Sequence, residues 1–284
     1  MPADEGRVTP GTTRFSGGSA ELLADLDRPG GWLLLLDRIR QSYVDLDDPT
    51  YLDFEYLQAF ADVLHVLPDG PVAVTHVGGG AATFARYVAA TRPGSPQIIL
   101  EPDAELTALV RTRLPFARGA RIRIRPVDGR SGVAALRAAS ADLMVVDAFL
   151  GGRVPAELTT AEFVADAARV LGERGVYLMN VADGPPGEFV RRVAATIRAR
   201  LPHVLISADP AVLKFRRFGN VVLAASVSPL PFDEVTAAGA RAMFPRRVLH
   251  GRALEAWIAG APPLSDAAPM RSPAPPDEAW RVQD

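Results

Sequence analysis

The apolar positions of this chain change their period twice. Residues 20–27 and 32–44 carry apolar stretches on either side of Arg28-Pro29-Gly30-Gly31, a pattern that predicts a β-hairpin. Residues 49–67 then switch to helical spacing, with Phe54, Leu57, Phe60, Ala61 and Leu64 on one face. From residue 71 onward, short apolar runs alternate with helical segments. Strands are predicted over 71–77, 97–100, 121–126, 141–146, 175–181, 203–208 and 220–226. Helices are predicted over 81–91, 103–114, 132–139, 159–171 and 188–201; Thr159 and Glu162 have the spacing of a capping box for the fourth. Two short helices follow, at 233–243 and 251–259. Mostly apolar strands alternating with helices imply an α/β protein: a mostly parallel sheet of seven strands with helices on both faces.

The expected organisation has five parts. Residues 1–18 lack periodicity and read as a flexible arm. Residues 19–69 hold the hairpin and a helix, 70–230 the α/β domain, and 231–260 the two last helices. Residues 261–284 contain six prolines and read as a disordered tail.

Composition narrows the chemistry. Pro and Gly together number 49 of 284 residues, below the share of low-complexity chains, so the chain folds. The net charge of −2 excludes a globally basic nucleic-acid binder. Lys214 is the only lysine among 31 basic residues, which reads as coding bias rather than as many anion sites. With no cysteine, disulfides, thiolate nucleophiles and Cys-ligated metals are excluded. The four histidines form no HxxxH or HxH pair, and no metal site is expected. No apolar run reaches the length of a membrane span, and Asp4, Glu5 and Arg7 precede no apolar signal region. The expectation is a cytoplasmic protein that binds neither nucleic acid nor membrane.

Four groups at strand ends carry the candidate chemistry. Gly78, Gly79 and Gly80 join the first α/β strand to its helix, where a parallel sheet binds ligands. Glu101 ends the next strand and can accept both hydroxyls of a ribose. Asp128 and Gly129 follow the third strand, where the carboxylate can accept an adenine amino group. Asp147 ends the fourth strand and can orient and deprotonate a nucleophile. Glycines and Glu101 alone fit either NAD or S-adenosylmethionine. The glycine run departs from the dinucleotide fingerprint at Thr83, which favours an adenosine across the sheet edge. Each group also has a structural reading: a packing glycine, a solvated carboxylate, an Asp-Gly turn, a loop cap.

Taken in order, these residues resemble the spermidine synthase (polyamine aminopropyltransferase) family, on the class I S-adenosylmethionine-dependent methyltransferase fold. The resemblance covers roughly 32–227. Leu35-Leu36-Asp37-Arg38-Ile39-Arg40-Gln41 resembles the family's L-D-G-x-x-Q segment, and Phe54-Glu55-Tyr56 sits where its tyrosine motif falls. His76-Val77-Gly78-Gly79-Gly80 resembles its I-G-G-G, Leu100-Glu101-Pro102-Asp103 its E-I-D, and Val127-Asp128-Gly129 its D-G. Val146-Asp147 resembles the start of its D-x-x-D-P segment. The resemblance implies transfer of an aminopropyl group from decarboxylated S-adenosylmethionine to a small-molecule amine. Asp147 would be the catalytic acid residue and Tyr56 would act beside it. Gln41 would line the nucleoside pocket with Gly78, Gly79, Gly80, Glu101, Asp128 and Gly129. A homo-oligomer, a dimer, is implied as well.

Three family carboxylates are missing. Ala81 stands for the Asp of G-G-G-D-G, Leu150 for the second catalytic acid, and Gln58 for the Glu of Tyr-x-Glu. An Asp at position 81 would repel the α-carboxylate of intact S-adenosylmethionine, so Ala81 predicts weaker selection against that donor. Two other functions fit the same residues: an S-adenosylmethionine-dependent methyltransferase, and a non-catalytic nucleoside-binding protein.

Overall fold

A computed structural model describes residues 10–15 and 18–276. An antiparallel sheet comes first, in the order β1 (Gly11–Phe15), β2 (Gly18–Ala24), β3 (Gly31–Leu36) and β4 (Ile39–Asp45). The β3–β4 turn places Asp37 and Arg38 at φ 48° and 67°, the paired left-handed geometry of a two-residue hairpin loop. Asp37 accepts from the amide of Ser19 at 2.9 Å, which ties this turn to β2. The single hairpin expected around Gly30 is therefore part of a four-stranded sheet. Part of the expected arm, residues 11–15, is its edge strand; residues 1–9, 16 and 17 lie outside the described residues.

Helix α1 (Glu55–His65) leads into the α/β unit: β5 (Val74–Val77), α2 (Thr83–Thr91), β6 (Gln97–Leu100), α3 (Ala104–Arg113), β7 (Ile122–Arg125), α4 (Gly129–Ala134), β8 (Leu143–Val146), α5 (Ala161–Leu171), β9 (Val176–Asp183), α6 (Glu188–Arg200), β10 (His203–Ala208), α7 (Pro210–Leu213), β11 (Gly219–Ser226), α8 (Phe232–Arg241), β12 (Arg247–His250) and α9 (Gly251–Ile258). The sheet order is β12-β10-β11-β9-β8-β5-β6-β7. The β9-β8-β5-β6-β7 half is parallel, and β11, β10 and β12 are antiparallel. The sheet has eight strands, not seven. The extra strand, β12, is four residues long and flanked by Arg246 and Gly251, so its own pattern is too short to announce it. It forms because β10 offers an open edge, with Leu205 opposite His250 and Ala208 opposite Arg247.

Two apolar layers cover the sheet. On one face α1 and α2 bury Leu57, Phe60, Leu64, Phe84 and Val88 against Val74, Leu143 and Leu178. On the other, α5 and α6 bury Phe163, Ala167, Val190 and Ile197 against Met144, Tyr177 and Leu223. Helix α5 is capped by Thr160, whose hydroxyl accepts from the amide of Phe163. Thr159 instead donates to the carbonyl of Ala156, and Glu162 accepts from the amide of Asp266, so the expected capping box does not form.

The proline-rich tail is ordered as far as residue 276. Leu264 is fully buried; its amide donates to Thr196 on α6 at 2.7 Å, and its carbonyl accepts from Ala161 at the start of α5. Arg130 pairs with Asp266 at 2.7 Å, and Arg153 donates to the carbonyl of Ser272. A few buried side chains and backbone bonds hold an extended segment whose prolines already restrict the unfolded chain. Residues 277–284 of the expected tail lie outside the described residues.

Candidate active site

A cavity of about 550 Å³ opens where β5 and β8 end, beside α1 and β4. Its lining includes Gln41, Tyr56, Gly78, Gly79, Gly80 and Asp147, residues that lie far apart in the chain. Parallel sheets bind ligands in this position, at the carboxyl ends of the strands.

The glycine run is held from three sides. A Cβ at Gly78 (φ 95°) would stand 2.3 Å from the carbonyl oxygen of Asp147, and one at Gly80 (φ 47°) would stand 2.5 Å from Oγ of Ser42. Both positions therefore need glycine for close approach and for backbone geometry. Ser42 Oγ accepts from the amide of Ala81 at 3.1 Å, and Thr83 donates to the carbonyl of Tyr43 at 2.9 Å. Strand β4 thus docks on the glycine turn and carries Gln41 into the cavity lining.

Glu101 stands behind the turn. One carboxylate oxygen accepts from the amide of Gly79 at 2.8 Å and the other from the amide of Asp103 at 2.9 Å. Burial pushes its carboxyl up from the ordinary range, and the two amides oppose that shift. Glu101 is not among the cavity-lining residues; it touches the cavity through Gly79. Asp128 is exposed and caps α4, accepting from Ser131 at 2.8 Å, and these local amides hold its carboxyl low. A Cβ at Gly129 would meet Val77 at 2.3 Å, which makes this glycine a packing requirement. Asp128 and Gly129 also lie outside the cavity lining.

Asp147 follows β8 in the wall of the cavity. Its Oδ2 accepts from the hydroxyl of Tyr56 at 2.9 Å and its Oδ1 from the amide nitrogen of Asn180 at 3.0 Å. Burial raises its carboxyl above the usual range, while these two hydrogen bonds pull it back. Burial, followed by the charge of Asp147, pushes the Tyr56 phenol well above its ordinary value, so it stays a hydrogen-bond donor. Phe60 meets the Tyr56 ring edge-on at 5.7 Å and fixes its direction. His76, also in the lining, is pushed down to about 4 by burial and is neutral. The side-chain nitrogen of Gln97 donates to Ala85, which leaves its oxygen facing His76 at 2.8 Å. His76 therefore carries its proton on Nε2.

Sequence reasoning did not single out Asn180. It is a lone amide in the fully buried strand VYLMNVAD, a detectable signal for a polar group with a task. Arg246 was also missed. It lines the cavity from just before β12, pairs with Asp62 and contacts Oε1 of Gln58 at 3.4 Å, and no local pattern marks it.

The three missing carboxylates have different fates. Gln58 donates to the carbonyl of Leu52 at 3.0 Å and faces Arg246. Leu150 is exposed on the loop after β8. Ala81 is fully buried among Ala20, Trp32, Leu34, Val44 and Leu106, not in the cavity lining. The expected effect of Ala81 on donor choice therefore has no structural basis: its methyl points into the packing between β4 and α3. Of the remaining lining carboxylates, Asp53 pairs with Arg40 at 3.0 Å and Asp209 with Arg217 at 3.2 Å. Glu55 is exposed. Both partners of Asp147 are neutral, so its charge is available to a ligand. Among the described residues, no group of three or more His, Asp or Glu side chains is arranged to hold a metal, and no helix is long and apolar enough to cross a membrane.

No protein-family profile matches the chain. A polyamine aminopropyltransferase of Chromobacterium violaceum is 29% identical over 183 residues, which span 62% of this chain and 69% of that protein. A probable spermidine synthase from Corynebacterium glutamicum superposes with a TM-score of 0.85 and 29% identity, covering 91% of this chain and 96% of that one. Human methyltransferase-like protein 13, in complex with S-adenosylhomocysteine, shares the fold, with a TM-score of 0.53 and 19% identity over 75% of this chain and 96% of its own.

Proposed function

The chain is a spermidine synthase-like protein on the class I methyltransferase fold, and from that premise we propose that it moves an aminopropyl group from decarboxylated S-adenosylmethionine to a small amine. The observation that carries the reading is Asp147: a half-buried carboxylate at the end of β8, aimed by Tyr56 and Asn180, in a cavity floored by the glycine turn.

The reaction needs little from the protein beyond placement and one proton acceptor. The lone pair of the acceptor nitrogen attacks the carbon next to the sulfonium, forming a C–N bond. The C–S bond breaks and its electron pair returns to sulfur, leaving the neutral thioether methylthioadenosine. A sulfonium needs no general acid. The nitrogen must arrive unprotonated and in line, and it must lose a proton as the bond forms. Asp147 holds that nitrogen and takes the proton. Tyr56 and Asn180 fix both carboxylate oxygens so that one direction of approach is favoured.

Nucleoside binding is assigned to the glycine turn and Gln41, with Glu101 supporting the turn and offering its remaining lone pairs to a ribose. Asp128, at the outer end of the same sheet edge, is assigned to the adenine. The test is product analysis with each donor in turn and a panel of amines. Methylthioadenosine formed from decarboxylated S-adenosylmethionine supports the reading. S-adenosylhomocysteine from the intact donor would replace it with methyl transfer, and neither product with any amine would leave a nucleoside-binding protein.

A further inference from the structure

Phe215 stands in the connection between β10 and β11 with φ 53°, a left-handed conformation in which a bulky side chain is an outlier. Such a residue persists only where its surroundings over-determine it, and outliers of this kind gather at functional sites. The surroundings of Phe215 do over-determine it. Its ring stacks on Trp257 of α9 at 5.3 Å and 28°, and the guanidinium of Arg191 on α6 lies over it at 4.4 Å. A Cβ at Gly187 (φ 78°), the N-cap of α6, would run into the same ring. Trp257 is fixed in turn by donating Nε1–H to the carbonyl of Leu213 at 2.9 Å. The amide of Phe215 donates to Val212 and that of Arg216 to Ala211, both at 2.9 Å, so the backbone around the stack is held as well.

The stack lies outside the cavity, and the residues that follow it line the cavity. Arg217, Phe218, Gly219 and Asn220 are in the wall, with Asp209 from the other arm of the same connection, whereas Phe215 and Arg216 are not. Arg217 pairs with Asp209 at 3.2 Å. A Cβ at Gly184, just after β9, would stand 3.2 Å from Phe218, so that residue is closely packed too. The left-handed residue turns the chain sharply: the ring goes to α6 and α9, and the next residues enter the cavity wall.

Reaction geometry decides which ligand that wall meets. Displacement at the carbon beside a sulfonium requires the amine to approach opposite the sulfur. The glycine turn after β5, which takes the nucleoside under the transferase reading, lies on one side of Asp147. The sheet order places β9, β11 and β10 on the other. Gly219, the first residue of β11, is opposite Asp183, the last of β9, so the β10–β11 connection is at the same end of the sheet as Asp147. The wall made by Arg217 and Phe218 therefore stands on the acceptor side.

We propose that Phe215 is a positioning residue for the acceptor: its stack with Trp257 and Arg191 sets the place of Arg217 and Phe218, and these two form the surface against which the carbon chain of the amine lies. The proposal rests on the transferase reading and adds to it an element that governs acceptor affinity. Contacts to the body of the amine are equal in the ground state and the transition state, so the stack governs KM for the amine and leaves kcat, set at Asp147, largely alone.

The experiment is steady-state kinetics with decarboxylated S-adenosylmethionine as donor and 1,3-diaminopropane, 1,4-diaminobutane and 1,5-diaminopentane as acceptors. Wild type, Phe215→Gly, Trp257→Leu and Trp257→Phe are compared, with methylthioadenosine affinity measured on each by calorimetry. Phe215→Gly removes the ring and leaves a residue at ease in the left-handed conformation. Trp257→Leu takes away the stacking partner and decides the matter should the glycine variant fail to fold. Both should raise KM for the amine about tenfold or more, as misplacement of a binding surface allows, with kcat and methylthioadenosine affinity close to wild type. Trp257→Phe keeps an aromatic face and should stay near wild type. An unchanged KM alongside a lower urea midpoint shows a stack that only stabilises the fold, and overturns the proposal. So does a loss of methylthioadenosine affinity that matches the rise in KM, because the effect then spreads over the whole cavity. Trp257→Phe as impaired as Trp257→Leu overturns it too, since stacking would not be what matters. A wild type that forms no methylthioadenosine with any acceptor defeats the transferase reading and the proposal with it.

Discussion

The hydroxyl of Tyr56 donates to Oδ2 of Asp147 at 2.9 Å, joining the first turn of α1 to the end of β8 across 91 residues of sequence. The pair sits in a wall where Asp53 and Asp209 are matched to arginines, yet it has no cation of its own. A buried carboxylate kept for stability is ordinarily paired with a positive charge. One that is held by two neutral donors, with burial raising its carboxyl, has the environment of a functional proton acceptor.

Asp147→Asn tests that assignment through stability as well as turnover. The carboxyl is raised in the folded state, so its ionisation opposes folding above the folded value, and that penalty vanishes as pH falls through it toward the unfolded value. The amide can still accept from Asn180 and donate to the Tyr56 oxygen. Turnover should fall by about 100-fold or more, the range of general-base removal, with methylthioadenosine affinity nearly unchanged. Thermal melts should show the variant as stable as the wild type, or more so, at neutral pH, with any advantage gone in acid. A variant several degrees less stable at neutral pH would mark Asp147 as structural.

Glu101→Gln separates support of the glycine turn from contact with a ligand. The carboxylate accepts from Gly79 and Asp103, and an amide can satisfy only one of them as acceptor. Methylthioadenosine should bind roughly tenfold or more weakly, since hydrogen bonds to a charged group are lost. Calorimetry on wild type and variant measures this, and equal affinities would remove both the ribose role and the supporting role.

What the sequence made legible was chemistry placed by local rules. Glycines at 78–80 and acids at 101 and 147 stand at strand ends, and strand ends can be read from apolar runs. Side-chain direction could not be read in the same way. Ala82 adopts φ 59°, and the turn it makes sends the methyl of Ala81 into the core, so a position that matches a functional Asp in sequence does not face the ligand here. Asn180 was legible in principle as the single amide in an apolar strand. Arg246, β12 and the ordered stretch at 261–276 were not, because each is fixed by an edge or groove made by residues distant in the chain. Leu264, for example, is buried only because α5 and α6 leave a gap for it.

Ala81→Asp follows from the same geometry. Placed among Trp32, Leu34 and Leu106, the new carboxylate would lose its hydration, a change of about 1–3 kcal/mol against folding that Arg86, whose Nε donates to the carbonyl of residue 81 at 3.0 Å, would offset only in part. Denaturant midpoints should fall at neutral pH and recover partly in acid. Titration with both S-adenosyl donors should show little selective change in either affinity. A stable variant that specifically loses the intact donor would mean that position 81 reaches the cavity after all.

His76 sets an acid limit on the fold. Burial holds its imidazole at about 4 against 6.5 for an exposed histidine, so it remains neutral in the folded chain while the unfolded chain takes up a proton. The unfolded state therefore binds more protons between these two values, and stability from this group, complete above 6.5, is lost as pH falls toward 4. The difference corresponds to about 3 kcal/mol. His76→Gln keeps a side chain that can donate to Gln97 and removes the titration. The raised carboxyls of Asp62, Asp147 and Glu101 act in the opposite sense, but they are common to both proteins and cancel in the comparison. Urea unfolding at a series of pH values should show the wild type losing stability relative to His76→Gln across that window. A difference that stays flat with pH would mean that His76 is already protonated in the fold, with its ring open to water in the cavity.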